Sequence, residues 1–276
     1  HQLKNFKKTS LFCFVDLAKS YPGLEKKLLY IDHHLSHTLS ALAYSESSKN
    51  ICSVVADGFG DRSTTSISFV NNPNEIKELW SCDYPFSLGL FYSAITDFLG
   101  FAINEGEYKV MGLAAFGAKD SNINNKMNNL IFWDKNEKTI KMDLSFFEYH
   151  KNIYNSFSIK LEELFGSSRN PLENLDVNNN DFQRYANIAF AAQEVLTNIL
   201  KELFIHANNL TGCSEFLFSG GVALNSASLR SIASLSFIKK IYIPPSPGDS
   251  GAAIGAAYFG FIKNNKNKSF KKITNL

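Results

Sequence analysis

The residues best suited to chemistry in this sequence are three histidines within five positions. His33, His34 and His37 make up half of the six histidines in the chain. The residues that follow, 38–44, are small or apolar and include no Gly or Pro, which favours a helix. On a helix His33 and His37 share one face with their Cβ atoms about 5–6 Å apart, so both can bind one metal ion. His34 points about 100° away, toward a substrate or an outer position; ordinary hydrogen-bonding histidines at a helix start are the alternative interpretation.

A carboxylate late in the chain can complete this set. Asp249 follows Pro247-Gly248 after a predicted strand and precedes a helix of small residues. With His33 and His37 it forms a two-histidine, one-carboxylate set that leaves coordination positions open for substrate oxygens and suits iron, manganese or zinc. The alternative is that Asp249 is only the N-cap of the helix that follows.

Two glycine-rich segments are candidate anion sites. Segment 57–60 (Asp-Gly-Phe-Gly) follows a strand, and its glycines let backbone N–H groups approach a phosphate. An Asp-Gly turn without a ligand is the alternative. Segment 219–225 (Ser-Gly-Gly-Val-Ala-Leu-Asn) joins a strand to a helix start, where the first N–H groups have no internal partner. It lacks a dinucleotide fingerprint and a P-loop lysine, so a tight turn that needs Gly for packing is its alternative.

The polar segment 104–109 adds carboxylates and an ammonium group. Glu105 and Glu107 can accept hydrogen bonds from ribose hydroxyls, and Lys109 can bind a phosphate or carbamoyl oxygen. A solvated helix start is equally consistent with this pattern.

Composition narrows the class of protein. The 276 residues are 45% hydrophobic and 20% charged, which is typical of a globular chain forming one large domain or two coupled lobes. A net charge of +2 is too small to indicate a nucleic acid or anionic membrane partner. The four cysteines form no Cys-x-x-Cys pair, which indicates a reducing compartment. With no apolar run of about 18 residues, we predict a cytoplasmic protein without a membrane partner.

The hydrophobic pattern predicts an α/β fold. Segment 10–16 is consistent with either a strand or a short helix, and 119–181 is expected to be a loop-rich insertion. Asp181 is the expected N-cap of a long helix that Thr211-Gly212 stops. Strands are expected at 28–31, 51–56, 64–70, 75–82, 216–218 and 238–243, and helices at 35–46, 87–99, 182–208, 222–234 and 251–262.

A set of short motifs occurs in a fixed order between about residues 28 and 260. Together they resemble the NodU/CmcH O-carbamoyltransferases, the enzymes that add carbamoyl groups to nodulation factors and antibiotics. The ordered set is far more specific than any single motif. Its members are His33-His34-x-x-His37 with Ser40-Ala41, Asp57-Gly58-x-Gly60, the segment 87–96, the segment 106–114, Gly220-Gly221-Val222-Ala223-Leu224-Asn225, and Pro244-Pro245-x-Pro247-Gly248-Asp249.

The resemblance implies an actin-like ATPase fold, which is ribonuclease-H-like and two-lobed, similar to the tRNA threonylcarbamoyl-adenosine transferase subunit. The first lobe, 1–110, would carry the histidines, a variable insertion would span 111–180, and the second lobe would span 181–276. A carbamoyl-adenylate, made from carbamoyl phosphate and ATP, would lie across the lobes.

The resemblance also implies roles for individual residues. It places iron or a similar divalent ion on His33, His37 and Asp249, with Mg²⁺ as a further candidate cation. It implies catalytic roles for His33, His34 and Lys109. The residues implied to bind the nucleotide and its phosphate are Asp57, Gly58, Gly60, Glu107, Gly220, Gly221 and Asn225.

The sequence departs from the family pattern in several places. It has Asp61-Arg62 where members usually have Glu-Trp, and 115–117 (Ala-Phe-Gly) where they have Pro-Tyr-Gly. We find neither the N-terminal Gly-Ile-Ser and His-Asp signature before Leu28 nor the C-terminal adenylate-forming domain. We therefore expect a fold that is incomplete at the N-terminus, from the middle of a larger enzyme that uses the missing domain in cis or in trans.

The expected function is metal-assisted carbamoyl transfer to a hydroxyl of a sugar-like or antibiotic-like acceptor. A tRNA threonylcarbamoyl transferase or a sugar kinase on the same fold is one alternative. A non-catalytic, truncated remnant that only binds ligands is the other.

Overall fold

The structure is a computed structural model that describes residues 29–265, apart from 153, 179 and 180, together with 20, 21 and 23. The chain divides into two compact units, His1–Asp32 and His33–Leu276. In the first unit residues 29–32 have no regular secondary structure, so the predicted strand at 28–31 is wrong for its described residues. Leu28 and the segment 10–16 lie outside the described residues.

The second unit combines helices with two β-sheets, and we number its elements from residue 33. No helix in the described part of the chain is both long and apolar enough to cross a lipid bilayer. The helices are α1 (His33–Tyr44), α2 (Leu88–Phe98), α3 (Glu107–Ala114), α4 (Ser121–Leu130), α5 (Ile159–Phe165), α6 (Phe182–Thr211), α7 (Ser226–Ala233) and α8 (Asp249–Asn264). The strands are β1 (Ile51–Ala56), β2 (Ser63–Asn72), β3 (Glu75–Asp83), β4 (Ile131–Asp134), β5 (Thr139–Met142), β6 (Glu215–Ser219) and β7 (Lys240–Tyr242).

The main sheet has five strands in the order β3-β2-β1-β6-β7. Strands β1, β2 and β3 form an antiparallel meander, whereas β6 pairs parallel to β1 and β7 parallel to β6. This confirms the α/β class and the predicted strands at 51–56, 64–70 and 75–82. Strands from 51–83 and from 215–242 thus share one sheet; the division into lobes stays a prediction.

Strand β1 is central because it is buried on both faces along its whole length. Cys52, Val54 and Ala56 face a core rich in aromatic side chains, while Ser53 faces α1, where its Oγ lies 2.8 Å from Thr38 Oγ1. Since both faces are covered, the residue that follows Ala56 emerges between two packed layers. The largest fully buried aromatic side chains are Phe91, Phe98, Phe147, Phe204, Phe216 and Phe218.

The long helix α6 confirms the predicted helix, its start after Asp181 and its stop. Gly212 adopts the left-handed conformation with φ 67°, where glycine is favoured, and ends the helix. Asp181 occupies the predicted N-cap position but makes no side-chain capping bond. Its carboxylate accepts a hydrogen bond from Arg184 Nε at 3.1 Å.

The predicted helix over 222–234 forms in two pieces. A short 3₁₀ segment, Gly221–Leu224, ends at Asn225, whose backbone leaves the helical region. The Asn225 side chain then accepts a hydrogen bond from Ser228 N and caps α7. The break follows from the capping chemistry of asparagine, because its side chain competes for the backbone donors.

Helices α1 and α8 pack closely along one face of the sheet. At Gly255 a Cβ atom would lie 1.8 Å from the carbonyl oxygen of Ser36, so only glycine allows this approach. The contact fixes the position of α8 relative to α1. It therefore also fixes Asp249, the first residue of α8, relative to the histidines at the start of α1.

We predict that Gly255→Ala separates α8 from α1 and lowers the free energy of unfolding by about 1–3 kcal/mol. Gly260→Ala, on the same helix, is the matched control, because a Cβ there meets nothing within 4 Å. That control should be neutral or stabilise the chain by up to about 1 kcal/mol. Urea unfolding followed by circular dichroism measures both changes; equal stabilities for the two variants would contradict the close-approach argument.

Candidate functional site

Helix α1 begins at His33 and presents two histidines on one face. The backbone N–H of His33 donates to Asp61 Oδ2 at 3.0 Å, which satisfies one of the free donors at the helix start. The Nε2 atoms of His33 and His37 lie 3.1 Å apart. The helical spacing of four residues therefore brings both rings to one point, as the sequence predicts.

Asp57, at the end of β1, joins the two histidines. Its Oδ2 lies 3.0 Å from His33 Nε2 and 3.2 Å from His37 Nε2. Its Oδ1 accepts hydrogen bonds from the backbone N–H groups of Gly58 and Gly221, both at 2.9 Å. The carboxylate is buried, and these four partners fix both of its oxygens. The resemblance implies that Asp57 borders a phosphate, which stays a prediction; the structure places it beside the histidines.

Asp249 reaches the same point from the start of α8. Its Oδ1 lies 3.3 Å from His33 Nε2 and 3.4 Å from His37 Nε2. Gly248 occupies the N-cap position, so Asp249 is the first helical residue and not the cap. Two elements that are more than 200 residues apart in sequence therefore converge on one cluster.

The four side chains have the spacing of a metal-ligand set. One ligand atom from each of His33, His37, Asp57 and Asp249 lies within 4.8 Å of the others. Ligand atoms about 2.1 Å from a common ion are about 3.0–3.4 Å apart in octahedral or tetrahedral geometry. The contacts of the histidine nitrogens, at 3.0–3.4 Å, fall in that range. Nitrogen and carboxylate oxygen donors together suit a divalent transition metal.

The electrostatics of the cluster favour the charged forms of both the histidines and the carboxylates. Hydrogen bonds to Asp249 and then Asp57 raise the pKa of His33 to about 10. Burial by itself lowers the pKa of His37, but hydrogen bonds to Asp249 and Asp57 outweigh it and the net direction is upward. Hydrogen bonds to the two histidines lower the pKa of Asp249 to about 2, and they lower the pKa of Asp57 despite the opposing effect of burial. Without a metal the two carboxylates therefore favour the protonated forms of the histidines.

His34, by contrast, does not point into this cluster. It is buried, and its Nδ1 lies 2.7 Å from Ser66 Oγ on strand β2. Its ring centroid is 6.0 Å from that of His33. The structure thus places His34 against the sheet, and its expected catalytic role stays a prediction.

A cavity of about 810 Å³ adjoins the cluster. Asp57 and Asp249 belong both to the cluster and to the cavity wall, so a ligand in the cavity can reach both carboxylates. The cavity is lined by Asp57, Gly58, Phe59, Gly89, Leu90, Tyr92, Ser93, Asn104, Glu105, Glu107, Tyr108, Met111, Leu196, Gly221, Val222, Leu224, Asn225 and Asp249.

Most of the residues predicted to bind the nucleotide lie in this wall. Glu107 is held there because its Oε1 accepts hydrogen bonds from Ser93 Oγ at 2.8 Å and from Asn104 N at 2.9 Å. Gly60 and Gly220 are not among the lining residues. The other two predicted glycines, Gly58 and Gly221, do line the cavity.

The amides of these glycines are engaged within the protein. Gly60 N donates to Ser63 O and Gly220 N to Pro247 O, both at 2.8 Å. The amides of Gly58 and Gly221 donate to Asp57, as described above. The anion that the Gly58 and Gly221 amides bind is therefore a carboxylate of the protein itself.

Lys109 is not among the residues that line the cavity. Its ammonium lies 5.8 Å from the ring centroid of Phe101 and 5.9 Å from that of Tyr108, and the residue is exposed. The structure therefore does not bring Lys109 to the cluster, and its catalytic role stays a prediction.

Two residues that hold the cluster were missed by the sequence interpretation. Ser87 caps α2, and its Oγ donates to the carbonyl oxygen of Gly58 at 2.6 Å. Gly89 lets the start of α2 approach the chain at Asp57, because a Cβ there would lie 2.7 Å from Asp57 O. Both lie in the motif 87–96, so the motif marked the segment, although their roles depend on contacts remote in sequence.

Comparison with known proteins gives relatives along most of the chain. An uncharacterised protein of Synechocystis, sll1178, is 33% identical over 232 residues, which is 83% of this chain and 36% of the relative. The nodulation protein NolNO of Sinorhizobium fredii is 26% identical over 232 residues, covering 84% of this chain and 31% of the relative. The crystal structure of HypF from T. kodakarensis matches 87% of this chain and 37% of that chain with a TM-score of 0.42 and 15% identity.

The chain spans about a third of the length of the curated relatives it matches. The model of the family described as "Carbamoyltransferase N-terminus" matches residues 4–258, which is well over half of the sequence. This chain therefore belongs to the carbamoyltransferase N-terminus family.

Proposed function

We propose that the chain is the transferase part of a carbamoyltransferase. It moves a carbamoyl group from a carbamoyl-adenylate, made from carbamoyl phosphate and ATP, to a hydroxyl of a sugar-like or antibiotic-like acceptor. Membership of the carbamoyltransferase N-terminus family supports the reaction class.

The observation that carries the proposal is the shared position of two carboxylates. Asp57 and Asp249 face the histidine pair and also line the cavity of about 810 Å³. A cavity of this size accommodates a nucleotide-sized ligand. A reactive group bound beside these carboxylates would therefore lie next to any cation that the cluster holds.

The sheet order supports an actin-like, ribonuclease-H-like interpretation of the fold. A three-stranded antiparallel meander followed by two strands parallel to the first gives the order β3-β2-β1-β6-β7. The cavity lies at the ends of β1 and β6, where Asp57 and Gly221 follow the strands. Ligands of α/β folds characteristically bind outside the carboxyl ends of such strands.

A divalent cation fits the cluster, and Fe²⁺ is the proposed ion. His33, His37, Asp57 and Asp249 would hold it through the nitrogen and oxygen atoms that already converge. When bound, such an ion supplies Lewis-acid polarisation of a carbonyl or phosphoryl oxygen. Asp57 keeps its orientation through the Gly58 and Gly221 amides.

The cavity wall indicates how a nucleotide is held. Glu107 accepts hydrogen bonds from Ser93 and Asn104 through Oε1, so its orientation in the wall is fixed. We propose that it accepts hydrogen bonds from ribose hydroxyls. The wall includes four carboxylates and, among the described residues that line it, no Lys or Arg. Phosphate groups there therefore need counter-cations, for which Mg²⁺ with ATP is the candidate.

The adenylate is proposed to come from a further domain, in cis or in trans. The chain spans about a third of the length of its curated relatives. The proposed cytoplasmic location follows from the need for ATP and from the cysteine pattern.

We predict that metal binding to the cluster displaces protons. Since His33 is protonated below a pKa of about 10, and a metal needs its neutral form, binding of Mn²⁺ or Zn²⁺ at pH 7 should release about one proton or more. The apparent affinity should then rise about tenfold per pH unit between pH 6 and pH 8. Isothermal titration in two buffers with different ionisation enthalpies measures the proton count.

The control for this measurement is the double variant His33→Ala, His37→Ala. In this variant the proton release should disappear, and the metal affinity should fall at least about 100-fold. Equal affinities in the wild type and the double variant would show that the cluster is not the metal site.

We predict that Asp249→Asn slows carbamoyl transfer by about 100-fold or more, because it removes a carboxylate ligand from the proposed cation, which would polarise the reacting oxygen. The measurement is AMP release from enzymatically prepared carbamoyl-adenylate, with water or a polyhydroxylated sugar as the acceptor. Asp181→Asn, an exposed position remote from the cavity wall, is the matched control and should retain full activity.

Two further measurements, phosphate transfer from ATP and the binding of ADP and metal, separate the competing functions. Transfer of a phosphate from ATP to a sugar that survives His33→Ala, His37→Ala would identify a kinase instead. A chain that binds neither ADP nor metal would be a non-catalytic remnant.

A further inference from the structure

Behind the cavity wall a chain of hydrogen bonds centres on Gln193 of α6. Gln193 and Asn225 form a reciprocal amide pair: Gln193 Nε2 donates to Asn225 Oδ1 at 2.9 Å, and Asn225 Nδ2 donates to Gln193 Oε1 at 3.0 Å. Tyr92 Oη also donates to Gln193 Oε1, at 2.9 Å. Tyr92 and Asn225 line the cavity, whereas Gln193 does not.

The direction of every bond in this chain follows from one backbone donor. Ser228 N–H lies 3.1 Å from Asn225 Oδ1, and a backbone N–H can only donate, so this atom of the amide must be the oxygen. Asn225 Nδ2 then faces Gln193, which must present its oxygen in return. Because that oxygen only accepts, Tyr92 must donate its proton to it.

Two consequences follow for the groups that the cavity wall offers a ligand. Asn225 Oδ1 already accepts from Ser228 N, Ser228 Oγ and Gln193 Nε2, so its capacity as an acceptor is used. Its Nδ2 has one hydrogen left after the bond to Gln193. Tyr92 donates its only proton to Gln193 and retains only lone pairs. Burial raises the pKa of Tyr92 and outweighs the lowering effect of the neighbouring Asn225 amide, so the hydroxyl stays protonated.

We propose that Gln193 is a positioning residue that makes this wall a donor–acceptor pair, with an N–H on Asn225 beside the lone pairs of Tyr92. Both atoms lie about 3 Å from Gln193 Oε1, so they are at most about 6 Å apart. The matching ligand group has an acceptor beside an amino group. Adenine and a carbamoyl group both present that edge, and the inference rests on the proposed function for the presence of either.

The test compares ligands that differ only at this edge. ADP and IDP distinguish the base, because hypoxanthine replaces the amino group of adenine with a carbonyl. Freshly prepared carbamoyl phosphate and acetyl phosphate distinguish the carbamoyl group, because acetyl has a methyl in place of the amino group. Isothermal titration of the wild-type chain, with Mn²⁺ present, should give about a tenfold preference for the first member of at least one pair.

Gln193→Met keeps the length of the side chain but removes both the acceptor and the donor. It should reduce that preference to about twofold or less, because Asn225 and Tyr92 are no longer oriented. Gln183→Met is the matched control: Gln183 lies on the same helix and also makes hydrogen bonds, but it is exposed and remote from the cavity wall. This control should retain the wild-type preference.

A second variant shows whether Gln193 acts through Asn225. Asn225→Ser keeps an N-cap for α7 but removes the amide. If Gln193 acts through Asn225, Gln193→Met should not change the ligand preference of the Asn225→Ser variant any further. If Gln193→Met instead acts by disturbing the fold, the effects of the two substitutions should add.

The outcomes separate the two levels of the argument. Loss of the preference in the ADP pair assigns the wall to the base, and loss in the carbamoyl phosphate pair assigns it to the carbamoyl group. A wild-type preference that Gln193→Met leaves unchanged, or no wild-type preference in either pair, overturns the inference alone. A wild-type chain that binds none of the four ligands overturns the proposed function and the inference with it.

Discussion

The structure depends on the burial of one charge, the carboxylate of Asp57. A buried carboxylate is stable only when nearly all of its lone pairs have partners. Here one oxygen accepts from the amides of Gly58 and Gly221, and the other faces His33 and His37. These partners belong to α1, to the turn that follows β1 and to the segment that follows β6. The Asp57 carboxylate therefore connects three parts of the chain. The cluster is thus part of the fold as well as a candidate site.

Close approaches of the backbone give the cluster its dimensions. Glycine allows α2 to touch the chain at Asp57, and it allows α8 to touch α1 at Gly255. At Gly220, with φ 91°, a Cβ would lie 2.2 Å from the carbonyl oxygen of Ala56, so β6 and β1 end side by side only with glycine there. Distances of 3.0–3.4 Å between the histidine nitrogens and the carboxylates depend on these contacts, since a shift of 1 Å would separate the ligands.

The sequence predicts what depends on local chemistry and misses what depends on remote contacts. Helical spacing was enough to bring His33 and His37 to one point, and the strand and helix patterns gave the α/β class and most of the elements. The role of Asp57 beside a phosphate, which the resemblance implies, stays a prediction. Its contact with the histidines could not be predicted, because an Asp-Gly turn looks the same whether its carboxylate faces solvent or a histidine on another element. The orientation of His34 toward the sheet could not be predicted for a similar reason, because its partner, Ser66, lies 32 residues away on β2.

The charges around the cavity connect metal binding to ligand binding. The wall includes Asp57, Glu105, Glu107 and Asp249, and none of the described residues that line it is a Lys or Arg. These carboxylates would repel the proposed anionic nucleotide, and a cation bound between them would offset that repulsion. By linkage, the nucleotide must then raise the affinity of the cluster for that cation by the same factor. If the cluster holds the proposed cation, a carboxylate-rich cavity beside it would therefore favour occupation of both sites together.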